Sequence, residues 1–233
     1  MNQNIAIISI ASLLLSACAT LLGPSAKPGI DLAQQGDYDA AMQYYQQIIE
    51  AGEANGKIYR HAYEAAFNLE AFDEADELYA AAIEAGFSPD SMRSLAVELW
   101  YNRAKTALGQ EHWQTATYAA GRIKEIAPES KPDKFCQHML QGKALYDKGS
   151  TRQLWDAVGE FTLAANHDEK SGLPYLWLGR TRYKNDRMNY DAALQEYDKA
   201  LEIEPGSVWS QTAREESEKI RAVRDKMKSF WGS

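Results

Sequence analysis

Few residues of this 233-residue chain have the types and spacing that chemistry needs. The four histidines, His61, His112, His138 and His167, lie far apart. None falls in the His-x-x-x-His or Glu-x-x-His spacing that would seat a metal on one helix face. There is no Gly-x-Ser-x-Gly elbow, phosphate-binding P-loop or dinucleotide fingerprint. The 33 acidic side chains read mostly as exposed helix-face charges, and Trp100, Trp113, Trp155 and Trp177 as core residues rather than a ligand box. The sequence therefore points away from an enzyme and implies no cofactor and no metal. Two cysteines remain, Cys18 and Cys136.

Cys18 follows an uncharged apolar run, Ile5 to Leu15, in the segment Leu15-Ser16-Ala17-Cys18. The run is too short to span a bilayer, which takes about 20 apolar residues, and suits the core of a signal peptide. An ordinary secretory signal with an incidental cysteine would share this apolar core. The four residues resemble the lipobox of bacterial lipoproteins. That resemblance implies diacylglycerol on the Cys18 sulfur, cleavage before Cys18 and acylation of the new amine. Met1-Asn2-Gln3-Asn4 departs from the pattern in carrying no Lys or Arg. Ala19 stands where lipoproteins retained at the inner membrane often carry Asp, so the resemblance points to the periplasmic face of the outer membrane. The expected organisation is a signal peptide at 1–17 and a lipidated tether at 18–29. Cys136 is then the only thiol left besides the anchor, and no internal disulfide can form. It reads as a small buried apolar residue.

Charge is unevenly spread. Residues 29–90 hold 13 acidic and 2 basic side chains, a net of −11, whereas residues 91–233 hold 20 acidic and 22 basic, a net of +2. A strongly basic nucleic-acid binder is excluded. An acidic half repels anionic headgroups and does not lie flat on a membrane.

The elements that position these side chains emerge from an internal repeat. Gly36-Asp37-Tyr38-Asp39-Ala40-Ala41 resembles Glu70-Ala71-Phe72-Asp73-Glu74-Ala75, and Tyr38/Phe72, Ala41/Ala75, Tyr45/Tyr79 and Gly52/Gly86 are all 34 residues apart. The cassette recurs with insertions at Ala116, Ala157 and Ala193. In the last copy Ala193, Tyr197 and Ala200 mark one helix face, and Pro205 stops the helix. Thirty-four residues is the period of the tetratricopeptide repeat, a helix–turn–helix unit. The run Tyr190 to Pro205 resembles the second helix of that family's consensus. The fold expected is all-α: an α-solenoid of about five such repeats over 30–205, with a short first helix from Ile30 to Gln35. Val208, Thr212, Ile220, Val223, Met227 and Phe230 predict one more helix, a cap within 206–233, because a repeat array otherwise exposes its last apolar face. In the second copy the small slot of the first helix falls on Tyr63, or on Ala62 if the register slips by one.

In this family, residues just after the small slot of each first helix often face a groove. Here they are Lys105 after Ala104, Lys143 after Gly142 and Arg180 after Gly179, with Tyr101, Tyr146 and Tyr183 among the aromatic and apolar residues one turn away. One reading is a groove for an extended peptide carrying carboxylates; the other is ordinary solvated helix-face charge. The family's Lys/Asn carboxylate clamp is not reproduced. The resemblance implies a non-enzymatic, lipid-anchored scaffold that binds envelope proteins of the secretion, pilus or outer-membrane assembly type. The alternative is a periplasmic receptor for a cell-wall fragment or glycan, which should present exposed Trp near Asp or Asn.

Overall fold

The computed structural model describes residues 24–231, so Cys18 and the signal segment lie outside the described residues. Eleven helices and no strand occur among the described residues. They are α1 (Lys27–Gln34), α2 (Tyr38–Glu50), α3 (Gly56–Asn68), α4 (Phe72–Glu84), α5 (Pro89–Gly109), α6 (Trp113–Ile126), α7 (Lys131–Lys148), α8 (Thr151–His167), α9 (Leu173–Asn185), α10 (Tyr190–Ile203) and α11 (Val208–Trp231). The chain divides within α5, near residue 95, into two compact units. The chain is an all-α array of helix pairs, α1–α2 through α9–α10, followed by the expected C-terminal helix. The first helix starts at Lys27, three residues before the expected boundary, because Pro28 sits in its first turn, where a missing N–H costs nothing.

Short polar side chains start the helices by accepting hydrogen bonds from otherwise unpaired backbone N–H groups. Asp37 accepts from Ala40 N, Asn55 from Lys57 N and Ile58 N, and Asn189 from Ala192 N. Ser130 does the same for α7, and Ser150 with Gln153 forms a reciprocal capping box on α8. The turns show the repeat in their backbone. The N–H of Asp37, Ala71 and His112 each bonds the carbonyl five residues back, on Leu32, Ala66 and Ala107, at 2.8–3.1 Å. The residue before each bonded N–H is left-handed: Gly36, Glu70 and Glu111, with φ of 81°, 62° and 60°. This is the Schellman helix end, and it returns at the spacing read from the sequence.

Packing within each pair follows a small-against-large rule. A Cβ on Gly142 would lie 2.6 Å from the Phe161 ring, and one on Gly179 would lie 2.9 Å from Tyr197. Gly29 faces Tyr45 in the same way, and Ala104 and Ala120 hold the equivalent slots of the third pair. The second pair breaks the rule. Tyr63, 2% exposed, fills the small slot, and Tyr79 stands edge-on to it at 5.9 Å, half-buried. Cys136 is fully buried, and burial pushes its thiol up to about 12, so it is a packing residue at neutral pH. Trp100 and Trp177 are core, as expected. Trp155 is not: it is 57% exposed on α8, because it is one residue out of step with buried Leu154 and Ala157.

Candidate functional site

The second unit carries the cations singled out in the sequence. All three are placed by the first helices of consecutive pairs, and each already holds a carboxylate of the chain. Lys105 on α5 lies 3.1 Å from Asp168 at the end of α8, and the Tyr101 hydroxyl donates to the same Asp168 oxygen at 2.7 Å. Burial alone would raise the Asp168 pKa, but the Tyr101 hydrogen bond and the Lys105 charge outweigh it and hold the carboxyl below its ordinary value. Burial and the Asp168 bond push the Tyr101 hydroxyl well above the ordinary tyrosine range. Lys143 on α7 pairs with Asp147 one turn on, and its ammonium sits 4.7 Å from the Trp113 ring centroid.

Arg180 on α9 is the most heavily engaged. Its guanidinium lies 4.6 Å from the Trp177 centroid. Its Nε donates to both oxygens of Glu216 on α11 at 3.0 Å, Nη2 adds a contact of 2.6 Å, and Nη1 donates to Glu111 at 2.8 Å. Burial works against the charge, but the two carboxylates more than offset it and raise the Arg180 pKa. The Tyr197 hydroxyl donates to Glu216 at 2.9 Å, and burial followed by the Glu216 charge raises its pKa strongly.

Beside Arg180 a cavity of about 550 Å³ opens between α7, α9, α10 and α11. Its walls are Tyr146, Trp177, Tyr183 and Tyr197, with Ile220 and Val223 from α11. Five cations line it, Lys143, Arg180, Lys184, Arg187 and Lys219, against the acids Glu111, Asp147 and Glu216. Lys184 sits 4.1 Å from the Tyr146 centroid and donates to the Tyr146 carbonyl, and Arg187 covers the Tyr183 ring at 4.5 Å. Lys184, Arg187 and Lys219 have no carboxylate partner among the described residues. The Trp177 indole N–H, buried in the wall, has no acceptor either. Volume, aromatic walls and surplus positive charge suit an anionic segment with apolar side chains.

Among the solved structures similar to this chain are tetratricopeptide-repeat proteins. One is YrrB, described as a TPR protein with an unusual peptide-binding site, at 20% identity over 80% of this chain and 88% of that one, with a TM-score of 0.40. Another is the C-terminal part of a TPR repeat-containing protein from Cytophaga hutchinsonii, at 15% identity over 87% and 75%, TM-score 0.49. A third is a thermophilic TPR protein from Thermus thermophilus, at 15% identity over 84% and 96%, TM-score 0.39. No protein-family profile matches the chain, and no curated protein matches it in sequence.

Among the sequence-selected residues, Lys143, Tyr146, Arg180 and Tyr183 come together around the cavity, whereas Tyr101 and Lys105 gather around Asp168. The repeat pattern does not reveal Glu111, Glu216, Lys184, Arg187 or Lys219. Glu111 lies in a turn, Glu216 and Lys219 lie on the helix beyond the repeats, and Lys184 and Arg187 sit past the aligned slot. Among the described residues no group of three or more His, Cys, Asp or Glu side chains could hold a metal ion, and no helix is long and apolar enough to cross a membrane.

Proposed function

We propose that this chain is a non-enzymatic adaptor of the bacterial cell envelope, anchored by a lipid on Cys18 at the periplasmic face of the outer membrane. It holds a protein partner on the face of the second unit formed by α5, α7 and α9. The observation that carries the reading is the cavity of about 550 Å³, with four aromatic walls and five cations to three acids. The partner is a segment bearing carboxylates. The cations available to it are those without an internal carboxylate, Lys184, Arg187 and Lys219, rather than Lys105, Lys143 and Arg180, whose carboxylates are already supplied.

The test is affinity recovery from detergent-solubilised membranes, identified by mass spectrometry, with wild type and the double reversal Lys184→Glu/Arg187→Glu. Arg187 is exposed in the turn after α9, and half-buried Lys184 holds one carbonyl but no carboxylate, so circular dichroism should match wild type. Recovery of a specific partner should fall at least about tenfold and weaken with added salt. An unchanged partner set with the folded double variant would move the interface elsewhere. A glycan receptor keeps one observation in its favour: Trp155 is exposed next to Asp156, but neither lines the cavity.

A further inference from the structure

The face built by α5, α7 and α9 is already covered in part by α11 of the same chain. The Trp209 indole sits against Gly109 of α5, so closely that a Cβ there would lie 2.5 Å from the ring, and it is 5.7 Å from the Lys105 ammonium. Two helical turns on, Glu216 takes Arg180 and the Tyr197 hydroxyl. One turn further, Ile220 enters the cavity wall. Positions 209, 216 and 220 lie on one helix face. An aromatic, a carboxylate and an aliphatic group are thus laid on the cations and aromatics of the face in the way a helical ligand would lay them.

The match stops at Lys219. This lysine lines the same cavity as Lys184 and Arg187, so α11 brings positive charge to a place that already has a surplus. The hold of α11 is concentrated in its first half, since residues beyond Ile220 are half-buried or exposed. Its buried residues are Trp209, Ser210, Ala213, Ser217 and Ile220, three small ones between two large ones. At its start the Trp209 indole N–H donates to Glu204 at the end of α10 at 2.9 Å, but its other ties to α10 are Arg221–Asp198 and Arg224–Asp191, whose carboxylates are 54% and 82% exposed and open to salt screening.

We infer that α11 is a resident, displaceable ligand of this face, and that the partner is an amphipathic helix of the same kind with an acidic residue where α11 carries Lys219. The recognised pattern is an aromatic residue, a carboxylate seven residues on and a second carboxylate three residues after that. The second carboxylate meets Lys184 and Arg187. A tethered helix acts at an effective concentration in the millimolar range, so an α11 whose own intrinsic Kd is ~10 µM weakens the binding of any competitor about a hundredfold. This rests on reading the face as a binding surface.

The experiment uses the full chain and two fluorescein-labelled peptides copying residues 206–231, one unchanged and one carrying Lys219→Glu. Anisotropy should show the Lys219→Glu peptide binding at least about tenfold tighter than the unchanged copy. Hydrogen exchange by mass spectrometry should show its binding exposing the chain's own α11 while α7 to α10 stay protected. In the chain itself, Glu216→Gln should speed α11 exchange about tenfold and Lys219→Glu should slow it. Equal binding of the two peptides, or α11 protection that tracks α10 in wild type and both variants, overturns the inference. A partner recovered through Lys184 and Arg187 with α11 protection unchanged also overturns it and leaves the binding surface standing. The pattern of exchange and peptide binding given above, with no partner recovered from membranes, supports the resident ligand and counts against the adaptor.

Discussion

At the scale of single residues, the second unit depends on charges satisfied inside it. Asp168 accepts from Tyr101 and Lys105, on a helix more than 60 residues away in sequence, and its side chain is only 18% exposed. Hydrogen bonds to a charged group contribute about 1.5–3 kcal/mol. Asp168→Asn is therefore expected to lower stability by about that amount at neutral pH, measured by urea unfolding followed through tryptophan fluorescence. The sign with pH follows from the depressed Asp168 pKa. Its contribution is fully present above the unfolded carboxyl pKa, about 3.9, and disappears as pH falls through the lower folded value. Wild type should thus lose stability through that acidic window, and the difference from Asp168→Asn should shrink there. Gly179 gives a second residue-scale prediction. A methyl at this position meets the Tyr197 ring at 2.9 Å, and Tyr197 is 1% exposed with its hydroxyl held by Glu216. Gly179→Ala should cost about 1–3 kcal/mol, as overpacking of a filled core does, in the same unfolding measurement.

At the scale of elements, α11 is the helix whose removal tests both packing and recognition. Truncation after Gly206 strips Trp209 and Ile220, 9% and 4% exposed, from the surfaces they cover. Burying such side chains contributes about 1.5–3 kcal/mol each, whereas the exposed ion pairs to Asp191 and Asp198 add under about 1 kcal/mol. The truncated chain should melt at a lower temperature or aggregate, and adding the 206–231 peptide in trans should recover part of the loss. A truncated chain as stable as wild type would show that α11 covers nothing the array needs.

At the scale of the whole molecule, the charge is divided along the chain, a net of −11 over residues 29–90 and +2 over residues 91–233. Such a distribution repels anionic headgroups at the acidic half and not at the slightly basic one. Anchoring itself is a prediction about Cys18. Intact-mass analysis of protein extracted from membranes should show an acylated N-terminal cysteine on a chain lacking residues 1–17. Cys18→Ser should release the protein or leave the unprocessed precursor in place. Two or more acyl chains give stable attachment, so wild type should resist extraction by salt alone. A soluble, unmodified mature chain would sink the anchor.

The helix pairs and their turns were legible in the sequence because they are set by local, periodic rules. Alanines at 41, 75, 116, 157 and 193 and aromatics four residues on in four of the five copies repeat along the chain, and the structure repeats with them. The terminal helix followed from the apolar spacing after Pro205. The column of Lys105, Lys143 and Arg180 was legible as a position but not as a set of free charges. Whether a cation is available depends on what faces it, and its partners come from other elements than the aligned slot: Asp168 from a helix end, Glu111 from a left-handed turn, Glu216 from α11. Exposure of Trp155 against burial of Leu154 likewise turns on the rotation of α8 about its axis, a difference of one residue. Period and helix ends belong to neighbours along the chain and are written there. The pairing of Arg180 with a carboxylate 36 residues away is decided only when α11 crosses α9.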